Sequence, residues 1–345
     1  MYCRQVLNCM GMNDRLSPEE MIAAATVHLM EDSNRTSPGG FILLGLSNVP
    51  YLQVICFIVF LIIYMLTLSG NVLLIIVVRN NSKLHTPMYF FLTNLSTIDI
   101  CFSSTVVPKI FINIISKDRN KSISVRGCVF QMFFSLVLGV AECILLAVMA
   151  YDRFVAICKP LHYNIIMNMR FCIILAIIPW IFGLINSFIQ VSITWQLPFC
   201  RSHHLNNFFC EVPAFLRLSC RDPWLNEIAM YVAAGIIVLC SFLLTLISYV
   251  FIISTILRIR SSQGRHAVFS TCTSHLTVVI LYYGTLMSIY LQPRSSHSPE
   301  TDKAVSVLYT LVTPMLNPII YSIRNKEVKK CIIKNIKNKT NCLKT

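Results

Sequence analysis

Seven runs of mainly apolar residues, at 54–78, 88–107, 127–150, 171–191, 228–256, 267–291 and 304–323, dominate this 345-residue chain. Each has about 20 residues or more, the length an α-helix needs to cross a hydrocarbon layer roughly 30 Å thick. Inside that layer no water satisfies backbone N–H and C=O groups, so runs of this length must be helical. With 55% hydrophobic and only 13% charged residues, the chain is too apolar for one soluble core under a charged surface. The expectation is an all-α membrane protein, a seven-transmembrane helix bundle over 54–323. It has no internal repeat or low-complexity stretch and reads as one domain. Seven is odd, so the two termini lie on opposite faces.

Orientation follows from charge and from one sequon. With the N-terminus outside, the cytoplasmic segments hold 16 Lys and Arg and the outer ones 13. Asn34-Arg35-Thr36 is a glycosylation sequon that has meaning only on the outer side, and Asn120-Lys121-Ser122 is a second, closer to the membrane. The net charge of +14 is divided among short loops and a basic tail instead of forming one face, which points to anionic lipid and excludes nucleic acid. Within the tail, 324–345, Val328, Ile332 and Ile336 stand four apart among lysines, the pattern of a short amphipathic C-terminal helix lying on the membrane. Cys331 beside it reads equally as an acylation site or a lipid-facing thiol. Residues 1–53 form the outer N-terminus. The apolar stretch Met21-Ile-Ala-Ala-Ala-Thr-Val27 is too short for a cleaved signal and follows Glu19-Glu20 instead of basic residues.

Polar groups inside the runs carry the functional signal. The third run closes on Met149-Ala-Tyr-Asp-Arg-Phe-Val-Ala-Ile-Cys-Lys-Pro-Leu-His-Tyr163, which sets Asp152 and Arg153 where a membrane helix meets water. An ionisable pair there is costly unless its members satisfy each other or face a protein cavity, so the Asp152–Arg153 pair marks function and suggests a switch. Asp99 and Glu142 are the acids within the runs; two carboxylates without a basic partner imply a bound cation or a shared proton, or else neutral acids hydrogen-bonded in the bundle. In Asn317-Pro-Ile-Ile-Tyr321, Pro318 frees a carbonyl and permits a bend, and Asn317 can bridge to Asp99, making a hinge. Met132, Ser135, Leu136, Gly139 and Val140 share one stripe in the outer half of the third run, and Tyr283, Met287 and Tyr290 one on the sixth. Such stripes serve helix packing or line a ligand cavity.

Fifteen cysteines cannot all pair, and Cys56, Cys101, Cys143, Cys172, Cys240 and Cys272 lie inside the runs, where a small buried hydrophobe is the usual reading. Cys128, at the outer start of the third run, and Cys200, Cys210 and Cys220, in the long second outer loop, face the oxidising side. Four cysteines allow three pairings, and spacing alone does not choose among them. His203-His204 lies between two of them, but the spacing is wrong for a zinc knuckle and oxidised cysteines cannot ligate.

Over about 34–329 the chain resembles the olfactory receptors, a branch of the rhodopsin-like G-protein-coupled receptors, in their tetrapod-type class. The likeness rests on the 149–163 stretch, Leu84-His-Thr-Pro-Met-Tyr-Phe-Phe-Leu92, Leu95-Ser-Thr-Ile-Asp99, Ser248-Tyr249, Phe269-Ser-Thr-Cys-Thr-Ser-His-Leu276 and Pro314-Met-Leu-Asn-Pro-Ile-Ile-Tyr-Ser-Ile-Arg-Asn325, in the family's order and spacing. Met30-Glu-Asp-Ser-Asn-Arg-Thr36 followed by Phe41-Ile-Leu-Leu-Gly-Leu-Ser47 resembles the family's amino terminus, which makes 1–29 an extension. The resemblance implies a multi-pass plasma-membrane receptor and no enzyme. It implies disulfides Cys128–Cys210 and Cys200–Cys220, and a sodium ion held by Asp99 and Glu142 with no other cofactor. It further implies that Arg153, Tyr249 and Tyr321 rearrange together on activation of a stimulatory heterotrimeric G protein, which raises cyclic AMP. The two stripes, with Thr310 on the seventh run, fall where the family holds its ligand. Apolar walls with a few hydroxyls and no charge would suit a small, volatile, neutral odorant. A transporter or channel is the rival reading, and the lack of a repeated half or a pair of broken spans speaks against it. Two departures stand out: Phe154 replaces the usual Tyr, and Arg265-His-Ala-Val-Phe269 lacks the usual Lys. Both predict weaker coupling or a higher threshold.

Overall fold

The structure, a computed structural model, describes residues 40–46, 49–116, 122–198, 204–259, 261–290, 299–324, 328–331 and 333. Residues 1–29, the first sequon, Asn120 and Lys121 of the second, Cys200, His203 and most of the tail lie outside the described residues. Seven long helices occupy the seven apolar runs. They are α1 (Pro50–Asn80), α2 (Pro87–Ile115), α3 (Val125–Cys158), α4 (Met169–Trp195), α5 (Trp224–Arg258), α6 (Ser262–Tyr290) and α7. The last is assembled from Pro299–Val307, a π-helical turn Leu308–Val312 and Thr313–Arg324. Most helices outrun their apolar stretch at one or both ends, because capping chemistry, not the edge of the hydrocarbon, decides where a helix stops. Pro50 and Pro87 open α1 and α2, where a missing N–H is harmless. The Ser124 hydroxyl accepts from the Gly127 N–H (3.1 Å) to start α3, and the Asn168 carbonyl oxygen from the Phe171 N–H (3.0 Å) to start α4.

Among the described residues six helices are long and apolar enough to cross a membrane, α1 to α5 and the Glu300–Tyr321 part of α7. The other, α6, has 29 residues but carries Thr273, Ser274, His275 and Thr277 in its inner half. Ser274 and His275 are tolerated because they are buried in protein, and Thr273 and Thr277 because their hydroxyls donate to helix carbonyls four residues back. Centrality differs sharply along the chain. In α3, 61% of the apolar window is buried, against 11% in α1, so α3 is the axis of the bundle and α1 a lipid-facing wall. The large apolar side chains that α1, α4 and α5 leave exposed, such as Ile58, Phe188 and Leu244, are the surface a bilayer would cover.

Without a hydrophobic drive between helices in lipid, close backbone approach and polar contacts hold such a bundle. Gly183 of α4 rests against the backbone of α3, where an added Cβ would stand 2.6 Å from the Val137 carbonyl oxygen. Gly70 of α1 likewise abuts the Pro318 ring of α7. The Asn71 amide donates to the carbonyls of Thr67 (3.0 Å) and Pro314 (3.1 Å), tying α1 to α7.

On the outer face a small sheet gathers the chain ends of the bundle. β1 (Phe41–Leu43) lies between β2 (Ser122–Ile123), antiparallel, and β3 (His204–Leu205), parallel. Beneath it Phe41, Leu43, Leu205 and Phe215 pack around Cys128 and Cys210. On the opposite face Val328 is fully buried against the bundle while Lys329 and Lys330 are exposed, in the helical residues 328–331 of the tail.

Candidate ligand site and inner-face cluster

The Cys128–Cys210 disulfide, with Cα atoms 5.4 Å apart, fastens the second outer loop to the outer end of α3. The Cys210 N–H donates to the Gln131 side-chain oxygen (2.8 Å), and the Gln131 amide in turn donates to the Thr105 carbonyl on α2 (3.0 Å). Cys220 is also disulfide-bonded. Pinned in this way, the loop roofs a cavity of about 120 Å³ enclosed by α3, α4, α5, α6 and α7. An apolar hole of roughly 150 Å³ in a protein core takes up a benzene ring, so the space suits a molecule of about that size.

All five residues of the α3 stripe, Met132, Ser135, Leu136, Gly139 and Val140, line this cavity. At Gly139 an added Cβ would meet nothing within 4 Å, so the glycine leaves open space rather than making a contact. The opposite walls are shifted from the expected positions by one residue. Tyr282 and Leu286 of α6 line the cavity, and Tyr283 and Met287 do not. Tyr283 is buried between α3 and α5, donating to the Cys143 carbonyl (2.9 Å) and packing edge-on against Phe242. The i, i+4 period was legible but its phase was not, since two adjacent tyrosines fit either face. On α7 Tyr309, not Thr310, lines the cavity. The π-helical turn holds one residue more than an α-turn and rotates what precedes it, and Thr310 is buried with its hydroxyl on the Ser306 carbonyl (2.6 Å). Tyr290 closes α6, and its side chain lies outside the described part.

The expectation of walls without charge left out two ionisable residues that line the cavity. Glu142 forms part of the floor and Glu211 part of the roof. Glu142 follows Gly139 by three residues and shares its face; Glu211 follows Cys210, so the bridge itself delivers it over the cavity. Glu211 accepts from the Asn207 amide (2.5 Å) and the Tyr309 hydroxyl (2.9 Å). Burial lifts its carboxyl to about 7, with the nearby Asp302 adding to the rise and Tyr309, Arg217 and Asn207 opposing it. Asp302 itself pairs with Arg217, linking the top of α7 to the loop.

Below the cavity, Asn317 donates to both oxygens of Asp99 (3.0 and 3.1 Å), and Glu142 lies close enough to interact with both residues. Glu142 Oε1 and Asn317 Oδ1 are buried without a protein partner. At the inner end the expected Asp152–Arg153 pairing is replaced by another arrangement. Asp152 Oδ1 accepts from the Tyr163 hydroxyl (2.8 Å), and Arg153, buried, has its Nε unpartnered. Successive residues on a helix point about 100° apart, so neighbours in sequence are poorly placed to pair. Arg153 instead shares the region of Tyr249 and Tyr321. The Tyr249 hydroxyl meets His275 Nδ1 at 2.8 Å with the rings stacked, a partner for Tyr249 the sequence reading did not assign. Phe154 packs on Phe251 of α5, filling the space with an apolar edge.

Comparison with known proteins agrees with this architecture. The family model for olfactory receptors matches residues 60–339. Human olfactory receptor 2G6 is 50% identical over 300 residues, 87% of this chain and 94% of its own length. Mouse olfactory receptor 8U3 is 47% identical over 300 residues, 87% of this chain and 93% of its own. The dog olfactory receptor-like protein OLF3 is 48% identical across 87% of this chain and 94% of its own length. A match over most of the chain to receptors, none of them enzymes, places it among multi-pass proteins of the plasma membrane: it belongs to the olfactory receptor family.

Proposed function

We propose that a small, weakly polar odorant occupies the cavity under the second outer loop and that its binding activates a stimulatory heterotrimeric G protein, raising cyclic AMP. The observation that carries this reading is the continuity of α3. One face of it lines the cavity from Met132 to Glu142, and its inner end bears Arg153 beside Tyr249 and Tyr321. A ligand that shifts α3 against α6 and α7 biases both ends of the same rigid element.

A sodium ion between Asp99 and Glu142 belongs to the same proposal. The oxygen-only donor set and the unpartnered oxygens of Glu142 and Asn317 suit a hard cation. When bound, the ion would hold α2, α3 and α7 together. Replacing sodium with choline should lower the melting temperature of the purified receptor, and Glu142→Gln should erase that difference; an unchanged melting temperature in choline would argue against the ion.

The binding half is tested with Gly139→Val. The valine side chain would occupy open space that the ligand needs, so odorant dose–response curves should move right by about tenfold or more, roughly 1.4 kcal/mol of affinity. Surface level and basal cyclic AMP should stay near wild type. Unshifted curves for several agonists would place the ligand elsewhere.

A further inference from the structure

The polar atoms around the cavity are unevenly matched. Most of its donors are already committed within the protein. The Ser135 hydroxyl donates to the Gln131 carbonyl (2.6 Å), Tyr282 to the Gly139 carbonyl (2.6 Å) and Tyr309 to Glu211. Gln190 of α4, which lines the cavity, directs its Nε2 to the Ala229 carbonyl of α5 at 3.2 Å. That bond fixes the amide: a flip would set oxygen against oxygen. Its Oε1 is left buried with no protein partner, and so is Glu142 Oε1 on the floor. Asn186, one turn before Gln190, lines the same wall and can both donate and accept. Apart from the Asn186 amide, the unsatisfied atoms on the side chains that line this small, mostly apolar space are acceptors, and a side-chain rotation would bring Gln190 Oε1 to a ligand.

We infer that this cavity selects odorants that donate a hydrogen bond, alcohols and phenols above the ketones, aldehydes and ethers of the same carbon skeleton, with Gln190 Oε1 as the acceptor. The inference deepens the proposed function and rests on the cavity being the odorant site. A carbonyl or ether oxygen brought against Gln190 meets another acceptor and leaves a buried oxygen unpaired, whereas a hydroxyl satisfies it. A protonated amine would also donate, and Glu142 and Glu211 on the same walls would be open to it, so the comparison is drawn among neutral odorants.

The test uses matched sets sized to the cavity: cyclohexanol, cyclohexanone and methoxycyclohexane; benzyl alcohol, benzaldehyde and benzyl methyl ether. They are applied to cells bearing the full-length receptor, wild type or Gln190→Met, with surface staining in parallel. In wild type the alcohols should be about tenfold more potent than their partners, the scale of one neutral hydrogen bond. In Gln190→Met the alcohols should fall to the level of the ketones and ethers. The wild-type comparison stands even if the variant fails to reach the surface. A ketone or ether equal to its alcohol in wild type, no active alcohol at all, or a preference that survives in surface-expressed Gln190→Met overturns the inference. Gly139→Val separates the two levels. If it shifts every response while no alcohol preference exists, the cavity stands and the donor rule falls. If it shifts nothing, the site lies elsewhere and both fall.

Discussion

Arg153 shows how far single residues can be read. Its type and position at the end of the third apolar run marked it as functional, yet the sequence suggested its neighbour Asp152 as the partner. In the folded chain Asp152 is held by Tyr163 while Arg153 is buried with a nitrogen unpartnered. A buried, incompletely paired guanidinium is poised to take a new partner, since burying it without compensation is unfavourable. Arg153→Ala is therefore expected to abolish odorant-driven cyclic AMP while most receptor still reaches the surface. Normal signalling in that mutant would remove Arg153 from the activation path. The same lesson holds on α6 and α7. Tyr283 and Thr310 have the right chemistry and the right depth, but adjacent residues face the cavity: periodicity gives the repeat of a face without its absolute direction on α6, and the π-helical turn shifts the face on α7. Gln190 was missed altogether: an amide among apolar residues of α4 gives no periodic signal, and only its orphaned oxygen sets it apart.

At the scale of elements, every long helix was legible from apolar length, and proline or a Ser/Asn cap marks the starts of α1 to α4. What length cannot give is which helices touch. Gly183 illustrates this, being one small residue in an apolar run until α4 is laid on α3 and its missing side chain becomes the contact. Adding a β-carbon there would bring it to 2.6 Å from backbone that cannot rotate away. Gly183→Val should thus reduce surface expression several-fold, within the range of overpacking effects of about 1–3 kcal/mol or more. Gly235→Ala on α5, where an added carbon meets nothing within 4 Å, should leave it unchanged or slightly raised. Flow cytometry of tagged receptors compares the two. Equal expression of both variants would show that the α3–α4 approach is slack. The π-helical turn in α7 was likewise hidden, because Leu308-Tyr-Thr-Leu-Val312 has no proline or glycine to announce it; the Thr313 hydroxyl, bonded to the Leu308 carbonyl five residues back (3.1 Å), helps to hold it.

For the molecule as a whole, the seven spans foretold the bundle and the family resemblance the Cys128–Cys210 bridge, but neither foretold that the loop so pinned is itself a junction. Through Cys210 it is fixed to α3, through the Glu211–Tyr309 and Arg217–Asp302 contacts to α7, and through β3 to the N-terminal strand. Cys210→Ser releases the first tie. Loss of a native disulfide typically costs about 2–5 kcal/mol, so surface delivery should fail, and wild-type delivery of that mutant would make the bridge dispensable. Glu211 gives the junction a pH dependence whose sign can be worked out. Burial raises its carboxyl from an ordinary 4.5 to about 7, reinforced by Asp302 and opposed by Tyr309, Arg217 and Asn207. Between those values the folded lid keeps a proton that the unfolded chain has released. A state that binds more protons is favoured by acid, so this contribution is complete below about 4.5 and is lost as pH rises to about 7. The melting temperature of the purified receptor should accordingly decline from pH 5 toward 7.5 by this group's share. Glu211→Gln keeps an oxygen for Asn207 but carries no titrating proton, so its melting temperature should fall less over the same interval, and at pH 7.5 it should match or exceed wild type. Parallel declines in the two proteins would show that the lid carboxylate is ionised throughout and that its burial is offset by its partners.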